Sequence, residues 1–320
     1  MYDLTIAIPT YQRLPQLQNN LMQLLRLIRE NGLTDRIQVC VSDNGSTDGT
    51  WAFLEQIRQD YAFVKCFRQS ENLRFARNFW TVGLMGDGKY LYFSGDDDSI
   101  PATSLDTLLR QAERFSHKAL IMNSSLPSTE YSRRNPETGE VLELSDSKNY
   151  LDQCGLFFAT FIGNLLFRRD YFQQYRECQS RIEQSAYPHF IPALRAIRSG
   201  DALVVNEPVC VPDDSIRSWR KWQRVYTAVD MARLVKQEMA PFLPENLTGN
   251  ILRSLARSLP MACVYFWQNE WERRQHPGKL SFWSQSEPPM QNPYVSCSLA
   301  NLWDIYMKNS YNNANTAKND

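Results

Sequence analysis

Short apolar segments alternate with amphipathic segments over the first 215 residues, and this alternation is the strongest constraint on the fold. Between the apolar segments, leucine and isoleucine recur three or four residues apart, as they do from Leu14 to Ile28, which indicates helices. Strands that alternate with helices form a mostly parallel sheet covered on both faces, so the predicted fold class is α/β. The predicted strands are Leu4–Pro9, Ile37–Ser42, Ala62–Phe67, Tyr90–Phe93, Ala119–Asn123, Asn164–Arg168 and Leu203–Pro212.

Three regions follow from this pattern. Residues 1–215 form the α/β domain, although a polar stretch from Pro127 to Tyr150 interrupts it and predicts a mobile excursion or a hairpin. Residues 216–308 show only helical spacing and predict a helical C-terminal region. Residues 309–320 are rich in asparagine and lack apolar anchors, so we predict a disordered tail.

The composition excludes several classes of protein. Basic residues (lysine plus arginine) and acidic residues (aspartate plus glutamate) number 35 each. The chain therefore lacks the positive net charge that would predict a nucleic-acid partner. The seven cysteines are scattered and form no CxxC pair, which favours buried thiols in a reducing compartment. The N-terminus is typical of a strand rather than a signal peptide, and the longest apolar stretch, Gly155–Phe167, is shorter than a membrane span of ~20 residues. We therefore expect a cytoplasmic protein.

Three consecutive carboxylates, Asp96, Asp97 and Asp98, follow the strand Tyr90–Phe93 almost directly. Adjacent carboxylates repel one another and favour neither helix nor strand, so a simple turn rarely uses them. At the C-terminal end of a strand in an open α/β sheet they would lie where such sheets bind ligands. Carboxylate oxygens suit Mg²⁺ or Mn²⁺. The alternative is a solvated acidic turn that binds no metal.

Four motifs in a fixed order resemble the family 2 glycosyltransferases, which are nucleotide-sugar-dependent enzymes of the GT-A fold. They are Ile8–Arg13 (IPTYQR), Val41–Thr50 (VSDNGSTDGT), Asn72 with Arg77-Asn78, and Gly95–Asp98. Within the family the chain is most similar to bacterial O-antigen abequosyltransferases, through the second and fourth of these motifs together with Arg77-Asn78-Phe79 and Tyr187-Pro188-His189.

The resemblance implies a GT-A catalytic domain over residues 1–215, with a nucleotide-sugar-binding half at 1–100 and an acceptor half at 101–215. It also implies a metal-dependent, inverting glycosyltransferase of bacterial surface-polysaccharide synthesis, which makes O-antigen, capsule or exopolysaccharide. The donor would be a UDP-, CDP-, GDP- or dTDP-sugar, and the acceptor a glycan or a lipid-linked glycan.

The same resemblance implies a donor site in the loops after the first two strands. Asp43 would accept a hydrogen bond from the nucleotide base, although a simple turn or cap residue is the alternative. Arg77 and Asn78 would contact the diphosphate or the donor sugar. The remaining predicted donor contacts are Pro9, Thr10, Tyr11, Arg13, Asn44 and Asp96.

Many family members read DxDD where this chain has Gly95 at the first position. Two registers stay open, because Asp96 and Asp98 form a literal DxD motif, whereas Asp97 and Asp98 align with the last two carboxylates of the family pattern. We predict Asp97 or Asp98 as the direct ligand of Mn²⁺ or Mg²⁺, with Asp96 in a supporting role.

An inverting transfer needs a general base that removes the proton from the acceptor hydroxyl. Family members usually supply a carboxylate within an ED motif, which this chain lacks. The candidates are His189, Glu183 and Asp213. Gly163 and Asn164 match a family position near the acceptor, although a plain turn before the next strand explains them equally well.

Two other functions fit the same features. One is a sugar-nucleotide-binding protein without transferase activity, which the missing ED motif favours. The other is a sugar-nucleotide pyrophosphorylase, although the first loop lacks the glycine-rich phosphate motif such an enzyme would use. The tryptophans and arginines after residue 216 predict either a peripheral contact at the inner face of the plasma membrane or helices that pack on the catalytic domain or in a homodimer.

Overall fold

The computed structural model describes residues 2–124, 139–175, 185–211 and 230–256. The chain separates into two compact units, Met1–Ser215 and Ile216–Asp320. The predicted tail at 309–320 and most of the predicted helical region at 216–308 lie outside the described residues.

Within the described residues of the first unit, eight strands form one sheet in the order β3-β2-β1-β4-β7-β5-β8-β6. The strands are β1 (Leu4–Thr10), β2 (Ile37–Asp43), β3 (Val64–Arg68), β4 (Tyr90–Phe93), β5 (Leu120–Ser124), β6 (Val141–Leu144), β7 (Leu165–Arg168) and β8 (Ala202–Pro208). Every residue of β1 and β2 is buried, as expected for central strands covered on both faces.

The sheet is parallel around β1 and mixed beyond β4. β1 pairs in parallel with β2 and β4, β2 with β3, and β5 with β8. β7 runs antiparallel to both β4 and β5, and β6 runs antiparallel to β8. Thr10 lies directly opposite Asp43 in the pairing of β1 with β2. The carboxyl ends of these two strands therefore lie side by side.

Seven helices accompany the described strands of the first unit. They are α1 (Leu14–Glu30), α2 (Thr50–Asp60), α3 (Arg74–Met85), α4 (Ala102–Arg114), α5 (Ser147–Gln153), α6 (Arg169–Gln173) and α7 (Phe190–Arg198). α1 buries the predicted apolar stripe from Leu17 to Ile28 against a core that also contains residues of α2, α4, β1 and β2, whereas Leu14 is half-buried.

A second, aromatic cluster fills the opposite face of β4. Tyr90 and Tyr92 belong to the core formed with α1, and since side chains alternate along a strand, Phe93 faces the other way. Its ring stacks on Phe79 of α3 at 4.1 Å between centroids and lies 5.2 Å from Phe172 of α6. α3 and α6 therefore pack on the face of β4 opposite to α1.

The second unit is described only over residues 230–256, and these are helical. Ala232–Leu234 continues into a π-helix at Val235–Met239 and a 3₁₀ turn at Ala240–Phe242, and α8 spans Glu245–Ala256. Among the helices that the structure describes, none is both long enough and apolar enough to cross a membrane.

Candidate active site

The loops after β1, β2 and β4 meet at one edge of the sheet, and we call the site they form the donor edge. The Thr10 hydroxyl at the end of β1 donates to Asp96 Oδ2 at 2.7 Å, although 86 residues separate the two in sequence. Because Thr10 also lies opposite Asp43, the structure brings the predicted base contact and the acidic loop together. Pro9 and Thr10 are buried within β1, whereas Tyr11 is half-buried.

Asp43 is fully buried at the end of β2. Its Oδ1 accepts the Ser46 N–H at 3.0 Å, whereas Oδ2 has no hydrogen-bond partner within the described part of the chain. The Arg68 guanidinium lies 3.7 Å from Oδ2 and provides a nearby positive charge. A buried carboxylate oxygen without a hydrogen bond is costly, so this atom is suited to accept one from a ligand.

Asn44 joins the loop after β2 to the residues that lead into α3. Its Nδ2 donates to Asn72 Oδ1 at 2.8 Å, and its Oδ1 accepts the Leu73 N–H at 2.9 Å. These bonds engage both ends of the side-chain amide. The Asn44 side chain therefore fixes the shape of the donor edge.

Arg13 connects the start of α1 to the acidic loop. Its Nη1 lies 3.1 Å from Asp96 Oδ1 and 2.5 Å from Asp97 Oδ2. Burial raises the pKa of Asp96 to about 6, although Arg13 and the Thr10 hydroxyl favour the ionised form. Asp97 is more exposed than Asp96, with 19% of its side-chain surface accessible against 8%. The two neighbouring carboxylates thus have different environments.

Gly95 gives the neighbouring carboxylates room to approach one another. Asp98 Oδ2 accepts the Gly95 N–H at 3.2 Å. A Cβ at position 95 would lie 2.6 Å from Asp98 Oδ2 and 2.8 Å from Asp97 Oδ1, both too close for van der Waals contact. The side chains of Asp97 and Asp98 therefore converge beside Gly95, which gives a physical reason for a glycine at the first position of the acidic motif.

An open cavity of about 480 Å³ lies beside the acidic loop. Backbone hydrogen bonds in both directions between Ser99 and Val211, at 3.0 and 2.9 Å, tie two of its walls together. Its lining residues are Pro15, Gln16, Asn19 and Asn20 from the first half of α1, together with Asp97, Ser99 and Val211.

A metal ion fits the acidic loop by its donor chemistry. No three histidine, cysteine or acidic side chains of the described chain surround a common point. Divalent ions that bind phosphates, however, commonly take only one or two carboxylates from the protein. Asp97 and Asp98 supply two carboxylates that converge and therefore fit Mg²⁺ or Mn²⁺.

Asn78 and Arg77 of α3 occupy different environments. Asn78 is buried, and its side chain accepts the Ser42 hydroxyl at 2.6 Å and donates to the Ser42 carbonyl at 2.8 Å and the Thr10 carbonyl at 3.3 Å. Asn78 thus holds the ends of β1 and β2 together. Arg77 is exposed on α3, where a ligand can reach it.

The predicted acceptor residues lie just before β7. The Gly163 carbonyl accepts the Tyr92 hydroxyl at 2.8 Å, and a Cβ on Gly163 would lie only 2.8 Å from Cys210 Sγ. Asn164 is 1% exposed, and its Oδ1 lacks a hydrogen-bond partner within the described residues. The backbone at Gly163 therefore sits in a space that admits no side chain.

His189 immediately precedes α7 and is 2% exposed. Its Nε2 lies 2.7 Å from the Thr160 carbonyl, to which it must donate, and its ring is 5.7 Å from that of Phe79. Burial lowers the pKa of His189 to about 4, so the ring is neutral near pH 7. The other two candidate bases, Glu183 and Asp213, lie outside the described residues.

Gln12 is part of the donor edge, although the IPTYQR motif that contains it predicts no role for this residue. It has a left-handed backbone with φ of 54°, and its backbone and side chain both hydrogen-bond to the loop after β2. The sequence offers no direct signal for this contact, because the two loops are more than 30 residues apart and glutamine has no preference for positive φ.

The sequence model of the family named glycosyl transferase family 2 matches residues 5–176. The match spans more than half of the 320-residue chain and includes the whole donor edge. The chain belongs to this family. The predictions of family 2 membership and of glycosyltransferase activity are thereby confirmed.

Two curated relatives show what this glycosyltransferase is similar to. Abequosyltransferase RfbV of Salmonella typhimurium is 25% identical over 242 residues, which cover 69% of this chain and 71% of the relative. The GalNAc(5)-diNAcBac-PP-undecaprenol beta-1,3-glucosyltransferase of Campylobacter jejuni is 26% identical over 173 residues. That match covers 52% of this glycosyltransferase and about half of the Campylobacter enzyme, 53%.

Solved structures share the fold of this glycosyltransferase. TarS of S. aureus, residues 1–349, superposes with a TM-score of 0.55 at 14% identity and covers 81% of this chain and 71% of its own. The mannosyltransferase PcManGT of Pyrobaculum calidifontis superposes with a TM-score of 0.56 at 17% identity, and the match covers 94% of this chain and 87% of PcManGT. These matches confirm the predicted α/β fold of the GT-A type.

Proposed function

We propose that this glycosyltransferase moves a sugar, with inversion, from a nucleotide-sugar donor to a glycan or lipid-linked glycan, with Mn²⁺ or Mg²⁺ bound at the acidic loop. The observation that carries the proposal is the hydrogen bond from Thr10 to Asp96, since Thr10 also pairs with Asp43. This contact holds Asp43 Oδ2, which has no hydrogen-bond partner in the described chain, and the converging carboxylates of Asp97 and Asp98 at one edge of the sheet.

The setting of the reaction is bacterial polysaccharide biosynthesis. One relative is named as an abequosyltransferase, and the other as a glucosyltransferase whose acceptor is an undecaprenol-linked glycan. The name of the second relative supports a lipid-linked acceptor for this chain. We place the enzyme in the cytoplasm, at the inner face of the plasma membrane where such an acceptor is exposed, either alone or as a homodimer.

The donor edge fits the parts of a nucleoside diphosphate sugar. Asp43 Oδ2 accepts a hydrogen bond from the base, and Thr10 and Tyr11 border the nucleoside. TarS has been solved with UDP and UDP-GlcNAc, and PcManGT with GDP-mannose and Mn²⁺, which supports a nucleotide-sugar donor and a metal here. Arg77, exposed on α3, supplies a positive charge for the diphosphate.

Charge on the leaving group determines the role of the acidic loop. Breaking the bond between sugar and phosphate leaves a nucleoside diphosphate with one more negative charge, and a divalent ion would stabilise that charge. Asp97 and Asp98 would hold the ion. Arg13 and Thr10 keep Asp96 oriented, so the whole loop is fixed before the donor binds.

We assign the general base to a carboxylate, Glu183 or Asp213, rather than to His189. A base must reach the acceptor hydroxyl directly or through one water molecule. His189 is 2% exposed, its Nε2 donates to the Thr160 carbonyl, and its ring is enclosed beside Phe79. These properties fit a packing role.

The test is a thermal-shift screen of UDP-, CDP-, GDP- and dTDP-sugars, each with and without Mn²⁺. A donor at 100 times its Kd should stabilise the folded protein by about 2.7 kcal/mol. We expect stabilisation by one nucleotide class that requires Mn²⁺ and is lost in Asp97→Asn and Asp98→Asn. Asp106→Asn, an exposed change on α4, is the matched control and should keep the response. No shift with any donor would refute the proposal.

Turnover separates the transferase from its alternative. Release of nucleoside diphosphate that depends on a polyprenyl-diphosphate-linked glycan would support transfer. Metal-dependent donor binding without release, either to that acceptor or to water, would instead favour a sugar-nucleotide-binding protein without transferase activity.

A further inference from the structure

We propose that Gln12 is the positioning residue for the donor nucleotide, a role that rests on the donor site proposed above. Gln12 lies in the loop after β1 and contacts the loop after β2. It fixes the second loop, and with it the carboxylate of Asp43, relative to Arg13 and the acidic loop.

Two successive hydrogen bonds connect the backbone of Gln12 to the carboxylate of Asp43. The Gln12 N–H donates to Ser46 Oγ at 2.8 Å, and the Ser46 N–H donates to Asp43 Oδ1 at 3.0 Å. Ser46 is buried, so the Gln12 N–H supplies a hydrogen bond that solvent cannot easily replace. Because Asp43 Oδ1 is held in this way, Oδ2 has one fixed direction. The position of Gln12 thus determines where Asp43 Oδ2, the oxygen without a hydrogen-bond partner in the described chain, lies.

The second step is a two-point contact through the side chain. Gln12 Nε2 donates to the Thr47 hydroxyl at 2.9 Å, and Gln12 Oε1 accepts the Thr47 N–H at 3.3 Å. A side-chain amide that both donates and accepts with one residue fixes the direction of that residue as well as its distance. These contacts are exposed, so their free energy is modest, but they restrict the same turn that carries Ser46.

The third observation is the strained backbone of Gln12 itself. Its φ of 54° lies in the left-handed region, which costs a residue such as glutamine about 1 kcal/mol or more. Such a conformation persists only when the surrounding contacts favour it. Here it directs the Gln12 N–H to Ser46 and allows the next residue, Arg13, to reach Asp96 and Asp97.

A neighbouring hydrogen bond joins the same two loops on the other side of Arg13. The Leu14 N–H donates to Asp48 Oδ2 at 3.0 Å, and Asp48 Oδ1 accepts the Thr50 N–H at the start of α2. Burial alone would raise the pKa of Asp48, but the hydrogen bonds from Thr50 and Leu14 hold it below its ordinary value. With this contact on one side and Gln12 on the other, the two loops are joined on both sides of Arg13.

This geometry predicts an effect on nucleotide binding and base selection rather than on the chemical step. A shift of Ser46 would rotate the Asp43 carboxylate, which contacts the base and not the transferred sugar. The acidic loop would keep its bonds to Arg13 and Thr10.

The experiment measures Kd values of UDP, CDP, GDP and dTDP by calorimetry in the presence of Mn²⁺, well below the melting temperature. Gln12→Met keeps the side-chain length and removes the bonds to Thr47. The backbone bond from Gln12 to Ser46 remains, so we expect the substitution to weaken binding of the preferred nucleotide by about fivefold and to reduce the preference for that base. The kcat at saturating donor should stay within about threefold. Gln18→Met, an exposed change on α1, is the matched control and should leave every Kd unchanged.

A double-mutant cycle with Asp43→Asn tests whether Gln12 acts through Asp43. We expect the effect of Gln12→Met on Kd to disappear largely in the Asp43→Asn background, because residues that act through one contact are not additive. A lower melting temperature with unchanged Kd values, or fully additive effects, would overturn the role of Gln12. Failure of the unchanged protein to bind any of the four nucleotides would instead refute the donor site itself.

Discussion

The donor edge and the acceptor edge of the sheet satisfy their buried polar groups in different ways. We define the acceptor edge as the segment Phe158–Leu165 with the residues that begin α7. At the donor edge, the loops after β1, β2 and β4 bond to one another, and Asp43 Oδ2 is the buried atom that we propose accepts a hydrogen bond from the nucleotide base. At the acceptor edge, Asn164 Oδ1 and His189 Nδ1 both lack hydrogen-bond partners within the described chain, and the rings of Phe79 and Tyr187 lie beside His189.

The difference lies in how the two edges are held in place. The donor edge is held by hydrogen bonds between its loops, so a nucleotide that binds there, as we propose, would not first have to order them. The acceptor edge relies on close packing, as at Gly163, where the backbone leaves no room for a side chain. We therefore expect changes at the donor edge to alter ligand affinity, and changes at the acceptor edge to alter stability first.

The largest effect should come from Asp43→Asn. The change removes the charge from a fully buried acceptor while keeping its shape, and a hydrogen bond to a charged group contributes about 1.5–3 kcal/mol. Calorimetry with the preferred nucleoside diphosphate should show Kd increased by about 10-fold to 100-fold. Asp60→Asn, an exposed change at the end of α2, serves as the control. An unchanged Kd in Asp43→Asn would show that the base binds elsewhere.

Gly163→Ala tests the acceptor edge. The new Cβ would lie 2.8 Å from both Cys210 Sγ and Phe161 Cε1, so we expect the free energy of unfolding to fall by about 1–3 kcal/mol in urea. Cys210→Ala in the same chain should recover part of this loss, because it removes the sulfur atom. The nucleotide Kd should stay the same, and a large change in Kd would mean that the two edges are not independent.

Most of the fold could be predicted because local sequence determines most of its elements. Each of the seven predicted strands overlaps an observed strand, and the stripe of α1 packs as its spacing indicates. β6 (Val141–Leu144) was not predicted, since it lies within the stretch assigned to a mobile excursion or hairpin. It is an edge strand with three of four residues not fully buried, so it lacks the apolar run that marks the others. Its pairing with β8 is a long-range property that no local pattern reveals.

The site was predictable where a motif is short and local. The three carboxylates of the acidic loop are adjacent in sequence, and their residue type predicts a metal site, whereas the role of Asp43 at the end of β2 follows from the family resemblance. Both roles stay predictions. The roles of Gln12 and Asn78 depend on contacts with residues 34–68 positions away. The sequence indicated Asn78 as a ligand contact, and the structure places its amide between β1 and β2, which only the tertiary fold could show.

Asp96→Asn should change how stability depends on pH at the donor edge. Burial raises the pKa of Asp96 to about 6, above its ordinary value of 3.8, so between these pH values the folded protein holds a proton that the unfolded chain has lost. Asp96 therefore makes the free energy of unfolding fall as pH rises from about 4 to about 6. Urea unfolding of the metal-free and nucleotide-free protein should show this fall reduced in Asp96→Asn. An identical pH profile in the two proteins would contradict the prediction, and Asp106→Asn is the control.

The smallest effect on the rate of sugar transfer should come from His189→Phe, which changes the acceptor edge. Phenylalanine keeps the aromatic contact with Phe79 and loses only the bond to the Thr160 carbonyl, so the free energy of unfolding should fall by about 0.5–1.5 kcal/mol. Loss of a general base costs about 10²–10⁴ in rate, whereas we expect kcat to stay within about tenfold, since a buried imidazole with a pKa of about 4 is a weak base near pH 7. If kcat instead fell by 10² or more with an unchanged donor Kd, His189 would be the base. The acceptor edge would then have to open to admit the acceptor hydroxyl, and its packing would be part of catalysis.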